Sequence, residues 1–150
     1  HPAKPDRPET WKDYEITHYV QDGDTISLGN KTIYVYGTPG HTPGCLSYIF
    51  PVEENRKIHM AALWGGTTPP HDPKQVVRYL KSLDYFMSEA KRHKVDVALS
   101  NHTAMDNGIQ RILYSKSRLN YQPNVYIIGQ EGFQNYCQVF RTLSYEILEK

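Results

Sequence analysis

The chain has 150 residues, of which 39% are hydrophobic and 22% charged, the size and composition of one ordinary globular domain. Its 17 Lys and Arg against 16 Asp and Glu leave a formal charge of +1, so we expect neither nucleic acid nor an anionic membrane as a partner. No apolar stretch approaches the ~20 residues of a membrane-spanning helix, so we expect no membrane span.

The first half of the sequence has the pattern of a small antiparallel sheet. Residues 1–12 are rich in proline and charge, and we interpret them as an extended lead-in. Because the chain opens with His1 rather than Met, we expect a processed or truncated product. The predicted strands are residues 15–21, 25–28, 31–37, 45–50 and 57–63. Short turns separate them, including one predicted at residues 51–56.

The second half changes to a helical period. Asp72 followed by Pro73 is a typical helix start, and apolar residues at intervals of three and four predict a helix ending near His93. A short apolar strand at 95–99 leads to a helix at 107–119, with Asp106 as its predicted cap. A last helix is predicted near 131–148.

This order of elements predicts an α+β fold with helices on one face of a mostly antiparallel sheet. The second face of such a sheet must also be covered. Tyr34, Tyr36 and Tyr48 are large, half-apolar side chains on the predicted strands, and we expect another layer to cover them. We treat 13–150 as one structural unit.

The loop at residues 38–44 contains a candidate metal ligand. Residues 38–44 read T-P-G-H-T-P-G, so two Pro-Gly pairs bracket His41 directly after a strand. Proline fixes φ and glycine admits positive φ, so each pair makes a rigid turn that holds the imidazole in place. A metal ligand requires such rigidity, although an exposed turn histidine would have the same pattern.

His102 is the second candidate ligand, because it follows the predicted strand 95–99 in a loop where Asp106 could orient it. His18 and His59 are predicted as surface residues of strands, His71 as a minor loop candidate, and His93 as a cation at a helix end. Residues 64–70 (W-G-G-T-T-P-P) form either a plain turn or a pocket wall.

The two candidate histidines are too few to form a catalytic zinc site. Catalytic zinc takes three protein ligands plus water, and the chain has no H-x-H or H-x-x-x-H pair. Cys45 and Cys137 lack a C-x-x-C spacing, and we interpret them as buried free thiols, with a disulfide possible only if the chain is exported.

The segment from Gly23 through the loop T-P-G-H-T-P-G-C-L-S-Y resembles the second half of a metallo-β-lactamase-fold hydrolase. The resemblance covers most of residues 13–120 and, more loosely, the last helix. It implies that His41 is a ligand of the first zinc ion and His102 of the second. It also implies an αββα sandwich of which 13–150 is the C-terminal half.

Two departures from the family pattern are visible. The family's H-x-H-x-D-H motif, which supplies four ligands and the aspartate that positions the attacking water, is absent from this chain. The G-D aspartate of many members is replaced by residues 64–67, as in members that hold both metals with histidines and the motif's aspartate. The resemblance therefore implies that the missing half supplies most ligands.

The resemblance implies a zinc-dependent hydrolase whose metal-bound hydroxide attacks an amide or ester carbonyl, as in a β-lactam, lactone or thioester. Trp64, Thr67 and Thr103 would line its pocket. This chain alone would be inactive and would hold zinc weakly or not at all. A lactamase-like parent would be periplasmic or secreted.

Two other functions stay open. The first is a non-catalytic interaction module that pairs with the missing half or with a second copy of itself through its sheet. The second is a metal-free domain that binds a small molecule between the loops at 38–44 and 101–106.

Overall fold

The computed structural model describes residues 16–149, so the predicted lead-in at 1–12 lies outside the described part. In chain order the elements are β1 (Thr25–Leu28), β2 (Lys31–Gly37), β3 (Leu46–Glu54), β4 (Lys57–Leu63), α1 (Pro73–Arg92), β5 (Val97–Leu99), α2 (Gly108–Ser117) and α3 (Gly129–Leu148). This arrangement confirms the predicted α+β class.

The five strands form one sheet in the order β1-β2-β3-β4-β5. Successive pairs among the first four are antiparallel, whereas β5 runs parallel to β4. A parallel neighbour needs a crossover connection, and α1 supplies it. Tyr34 lies opposite Ile49, Ile49 opposite Ala62, and Ala62 opposite Ala98, so these side chains share one face.

Helices α1 and α3 pack on that face, which we call the helix face. Leu83 and Phe86 of α1 and Phe133 of α3 are fully buried there. Burying each such side chain contributes about 1.5–3 kcal/mol. The buried cluster comprises Tyr36, Ile49, Ala62, Trp64, Tyr79, Leu83, Phe86, Met87, Ala90, Val95, Ala98, Phe133, Cys137 and Phe140.

The start and end of α1 follow from its sequence. Asp72 caps the helix by accepting a hydrogen bond from the Lys74 N–H at 3.0 Å, and Pro73 occupies the first turn, as predicted. The helix ends at His93, whose Nε2 lies 2.8 Å from the Tyr36 hydroxyl of β2. Both ends of α1 are therefore defined by specific polar contacts.

The opposite face of the sheet, which we call the outer face, is also largely apolar. By alternation along the strands it carries Val35, Tyr48, Phe50, Leu63 and Leu99. On the same face, the cross-strand pair Ile26 and Ile33 is 40% and 36% exposed.

The expectation that three tyrosines share a face needing another layer is wrong for two of them. Tyr34 and Tyr36 lie on the helix face, where α1 covers them, and only Tyr48 lies on the outer face. The reason is the register of β2, whose even-numbered residues point to the helices.

Three predicted boundaries need correction. Residues 16–21 of the strand predicted at 15–21 are not in a strand. The turn predicted at 51–56 shrinks to its last two residues, Asn55 and Arg56, which adopt positive φ. β3 continues through Pro51, which pairs with Met60 beyond the last residue that pairs with β2. Proline is tolerated there because the strand has no second neighbour at that point.

The start of α2 also differs from the prediction. Asn107, with φ of +53°, precedes the helix and makes no side-chain capping bond. Asp106, the predicted cap, forms an ion pair with Arg111 instead. Both cysteines are free and buried, as interpreted from the sequence. Within residues 16–149, no helix is long and apolar enough to cross a bilayer.

Candidate metal centre

The sheet topology brings three loops to one edge. β2, β4 and β5 point the same way, because β2 and β4 are both antiparallel to β3 and β5 is parallel to β4. Their carboxyl ends therefore lie at the same edge of the sheet. The loops that leave this edge carry His41, Thr67 and His102.

Close packing against α1 fixes the backbone of the His41 loop. Gly40 has φ of +151°, and a Cβ there would lie 2.5 Å from the Tyr79 Cα. The Pro39 carbonyl accepts a hydrogen bond from the Ser82 hydroxyl at 2.7 Å. The first Pro-Gly pair is thus pressed onto the helix, which provides the rigidity predicted for this loop.

The His41 imidazole has a defined tautomer. Its Nδ1 lies 2.7 Å from the Thr68 carbonyl oxygen, and since a carbonyl only accepts, Nδ1 must carry the proton. In the neutral imidazole, the other nitrogen, Nε2, then keeps its lone pair. This arrangement is typical of metal-ligating histidines, whose second ring nitrogen donates to a carbonyl or carboxylate.

A second hydrogen bond joins the middle loop to the His102 loop. The Thr67 hydroxyl donates to Asn101 Oδ1 at 3.1 Å. Next to it, the Ser100 hydroxyl accepts from the His102 N–H at 3.1 Å and donates to the His102 carbonyl at 3.0 Å. The loops of His41 and His102 thus flank the segment of Thr67 and Thr68, and both histidines are exposed.

The three predicted pocket residues lie in different surroundings. Trp64 is fully buried, donates to the Gly66 carbonyl at 2.6 Å, and packs edge-on against Tyr79. It does not lie in a pocket wall, as predicted, because its ring has no exposed surface and instead supports the loop from beneath. Thr67 is also buried, with its hydroxyl on Asn101, whereas Thr103 is exposed beside His102.

A set of hydroxyl groups at the base of this edge is not predicted by the sequence pattern. The Thr38 and Ser47 hydroxyls are fully buried and lie 2.7 Å apart, and Ser47 Oγ also accepts from the Gly65 N–H at 3.0 Å. These hydrogen bonds connect the end of β2, the start of β3 and the end of β4. Burial raises the pKa of the adjacent Cys45 thiol, partly offset by its hydrogen bond from Thr38, so this cysteine stays protonated. The sequence signal for Thr38 and Ser47 is their position at the ends of predicted strands.

No protein-family model matches the chain. Solved structures do: BJP-1, a subclass B3 metallo-beta-lactamase of Bradyrhizobium japonicum, superposes with a TM-score of 0.69 at 23% identity over 92% of this chain. FEZ-1, a metallo-beta-lactamase from Legionella gormanii, also gives a TM-score of 0.69, at 24% identity over 87% of this chain. The chain has the metallo-β-lactamase fold.

The chain spans about half the length of these similar structures. This chain covers 52% of the BJP-1 chain and 50% of the FEZ-1 chain. Two curated proteins match shorter stretches. A hydroxyacylglutathione hydrolase from Crocosphaera subtropica is 45% identical over 40 residues, or 27% of this chain and 16% of its own length. A probable metallo-hydrolase from Burkholderia pseudomallei is 40% identical over 47 residues, or 31% and 15%.

The metallo-β-lactamase fold implies a metal, and the described residues fit one in part. The Nδ1 hydrogen bond of His41 leaves its Nε2 available to an ion, and His102 lies in the loop on the other side of Thr67. Among residues 16–149, however, no group of three or more His, Cys, Asp or Glu side chains could hold an ion. The described residues therefore offer separate candidate ligands rather than a complete site.

The remaining histidines have other surroundings. His59 is buried on the outer face with its Nδ1 2.5 Å from Asp96, so its prediction as a surface residue is wrong. His18 is exposed but not in a strand, and His71 is exposed in its loop. His93 does end α1, but burial and the neighbouring Arg92 lower its pKa, so it favours the neutral form rather than the predicted cation.

Proposed function

We propose that this chain supplies one histidine ligand to each of two zinc ions in a hydrolase active site, His41 to one ion and His102 to the other. The observation that carries the proposal is the hydrogen bond from His41 Nδ1 to the Thr68 carbonyl. It fixes the tautomer that leaves Nε2 available to an ion.

When bound, the zinc ions would supply an activated water near neutral pH and polarise the substrate carbonyl. The proposed substrates are therefore amides or esters, such as a β-lactam, lactone or thioester. The similar proteins include a hydroxyacylglutathione hydrolase and metallo-beta-lactamases by name, which supports the hydrolase class without choosing a substrate. Thr103, exposed beside His102, would contact the substrate.

The other ligands would come from outside this chain. We propose that residues 13–150 form the C-terminal half of the sandwich and that the other half supplies the H-x-H-x-D-H ligands. The chain spans about half the length of the similar structures, and its described residues contain no complete ligand group. Alone, it would bind zinc weakly and lack activity.

Zinc titration of the chain tests the ligand assignment. Substituting His41→Ala or His102→Ala removes one lone pair, so each should weaken binding by roughly 10-fold or more. His18→Ala is the matched control, because His18 is also exposed and not in a strand, and it lies outside the loops that carry His41, Thr67 and His102. Titrations followed by NMR of the imidazole nitrogens would measure each histidine separately. An unchanged affinity in both site variants would contradict the proposal.

Hydrolysis tests the reaction. In the longer protein of which we propose this chain is a part, chelation and His41→Ala should each reduce turnover by more than about 100-fold, and zinc should restore only the chelated protein. His18→Ala should leave turnover unchanged. Full activity after both chelation and His41→Ala would exclude zinc hydrolysis.

The outer face favours a second, compatible role. A sheet with Tyr48, Phe50 and Leu63 on this face, and with Ile26 and Ile33 partly exposed, offers apolar area to a partner. We propose that the other half of the sandwich covers it, and that a second copy of the chain does so when that half is absent.

A further inference from the structure

A cavity of about 180 Å³ lies on the outer face of the sheet, and no residue of the candidate metal centre lines it. Its floor is formed by Val52 of β3, His59 of β4, and Val97 and Leu99 of β5. Val52 and His59 lie directly opposite each other in the β3–β4 pair. Three of these four side chains are apolar, so the floor suits a mainly apolar group with one polar contact.

The segment between α2 and α3 forms the wall of this cavity, which Tyr126 and Ile127 line. Ile127 pairs with Val97 in an antiparallel bridge, and the Tyr126 carbonyl accepts from the Ala98 N–H at 3.3 Å. Within the segment, Asn124 Oδ1 accepts from the Tyr126 N–H at 3.1 Å. Because the wall is hydrogen-bonded to β5, the cavity is a fixed part of the fold.

His59 is the polar group of the floor. Its side chain is only 6% exposed, and its Nδ1 lies 2.5 Å from Asp96 Oδ2. Because an ionised carboxylate only accepts, Nδ1 carries the proton. Asp96 Oδ1 accepts from the Met60 N–H at 3.0 Å, so this carboxylate is fixed and holds the imidazole in place. In the neutral imidazole, Nε2 keeps its lone pair, and within residues 16–149 it accepts no hydrogen bond.

The charges at the border of the cavity favour a neutral ligand. Two carboxylates border it: Glu54 forms an ion pair with Arg118, whereas Glu53 is exposed to solvent. Arg118 also donates to the Gln122 carbonyl at 2.9 Å, so this cation is already paired. A charged ligand would lose its hydration against the apolar floor, which is costly. A neutral ligand with one hydrogen-bond donor would lose much less, because His59 Nε2 can accept from it.

We propose that this cavity binds a phenol group, with its ring against Val97 and Leu99 and its hydroxyl donating to His59 Nε2. The size agrees, because an apolar cavity of roughly 150 Å³ takes up benzene. The phenol belongs either to a free small molecule or to a tyrosine of the layer that covers the outer face. This inference goes beyond the proposed function, since it uses neither zinc nor the histidines of the candidate metal centre.

The test is an NMR titration of the 150-residue chain with p-cresol, which is the tyrosine side chain as a free molecule. Toluene is the matched control, because it has the same ring and methyl group but no hydroxyl. Both should shift the methyl resonances of Val97, and only p-cresol should shift the Nε2 resonance of His59. The extra hydrogen bond should make p-cresol bind about 5-fold more tightly than toluene. The imidazole of His18, which is exposed, should respond to neither.

Two variants test the hydrogen bond itself. In Asp96→Asn, the amide can accept from the Met60 N–H and donate to His59 Nδ1, which moves the ring proton to Nε2. The preference for p-cresol over toluene should then disappear, while toluene binds as before. His59→Phe keeps an aromatic ring but removes the acceptor, and it should give the same equal affinities. Asp84→Asn is the control, since Asp84 is 58% exposed on α1.

Equal affinities for p-cresol and toluene in the unmodified chain, or an unresponsive His59, would overturn the phenol site. A preference for p-cresol that persists in both variants would do the same. In the longer protein, undiminished p-cresol binding would assign the site to a free phenol. Loss of binding with the His59 resonance already at its p-cresol-bound position would assign it to a tyrosine of the covering layer, and loss without that shift would overturn the proposal. Zinc takes no part in these measurements, so either proposal can fail while the other stands.

Discussion

Gly40 has a backbone conformation and a packing environment that both require glycine. Its φ of +151° is strained for a residue with a side chain, and an added Cβ would lie 2.5 Å from the Tyr79 Cα. Because His41 is the next residue, this contact sets the direction in which the candidate ligand leaves the loop.

We predict that Gly40→Ala destabilises the chain by roughly 2–4 kcal/mol, from backbone strain together with the clash against α1. Gly44→Ala is the control in the same loop, since a Cβ there meets nothing within 4 Å. It should change stability by about 1 kcal/mol or less. Chemical denaturation measures both. Equal effects of the two changes would show that the Tyr79 contact does not constrain the loop.

At the scale of elements, α1 is joined to the sheet by a titratable contact. The His93 ring stacks 4.3 Å from Tyr34, its Nε2 meets the Tyr36 hydroxyl, and Arg92 and Glu89 lie beside it. Burial, followed by the charge of Arg92, lowers the pKa of His93 below 6.5, with Glu89 opposing. The neutral imidazole can accept the hydrogen bond from Tyr36.

The sign of the pH dependence follows from linkage. The unfolded chain takes up the His93 proton at a higher pH than the folded chain, so the free energy of unfolding decreases as pH falls from about 7.5 to 5. His93→Gln should reduce this decrease, whereas His71→Gln, in an exposed loop, should not. Urea denaturation across this range measures it. The same slope in the unmodified chain and in His93→Gln would contradict the prediction.

Periodicity predicted most elements because their signals are local. The Asp72–Pro73 start of α1 and the strands β1, β2 and β4 lie where the sequence placed them. The extent of β3 and the face of Tyr34 depend on pairing with other strands, which a local pattern does not contain.

The candidate site divides in the same way. The loop sequences predict His41 and His102 as candidate ligands, and the hydrogen bond of His41 Nδ1 is compatible with its proposed role. Its partner is a backbone carbonyl 27 residues away, which no side-chain pattern encodes. The burial of Trp64 and Thr38 depends on tertiary packing, which their sequence neighbours do not indicate.

At the scale of the whole molecule, the helix face is packed while the outer face retains exposed apolar area. Ile26 and Ile33 lie opposite each other at the β1 side of this face. Together with the partial coverage of the similar structures, this explains why we expect the chain to need a partner for full stability.

We predict that the chain self-associates and that Ile33→Lys reduces this association, because a charge on the outer face would have to be desolvated. Val77→Lys is the control, since Val77 is 48% exposed on α1 and Ile33 is 36% exposed. Sedimentation equilibrium over a range of concentrations measures the mass. A chain that is monomeric throughout, or two variants with equal effects, would contradict the prediction.

The hydrogen bonds of Thr67 and Thr68 have a mechanical consequence. The Thr67 side chain bonds to the loop of His102, and the carbonyl of the next residue bonds to His41. The short backbone segment of Thr67 and Thr68 therefore connects the two histidine loops. When either loop becomes more ordered, part of the entropy cost of ordering the other has already been met, so the two positions respond as a coupled pair.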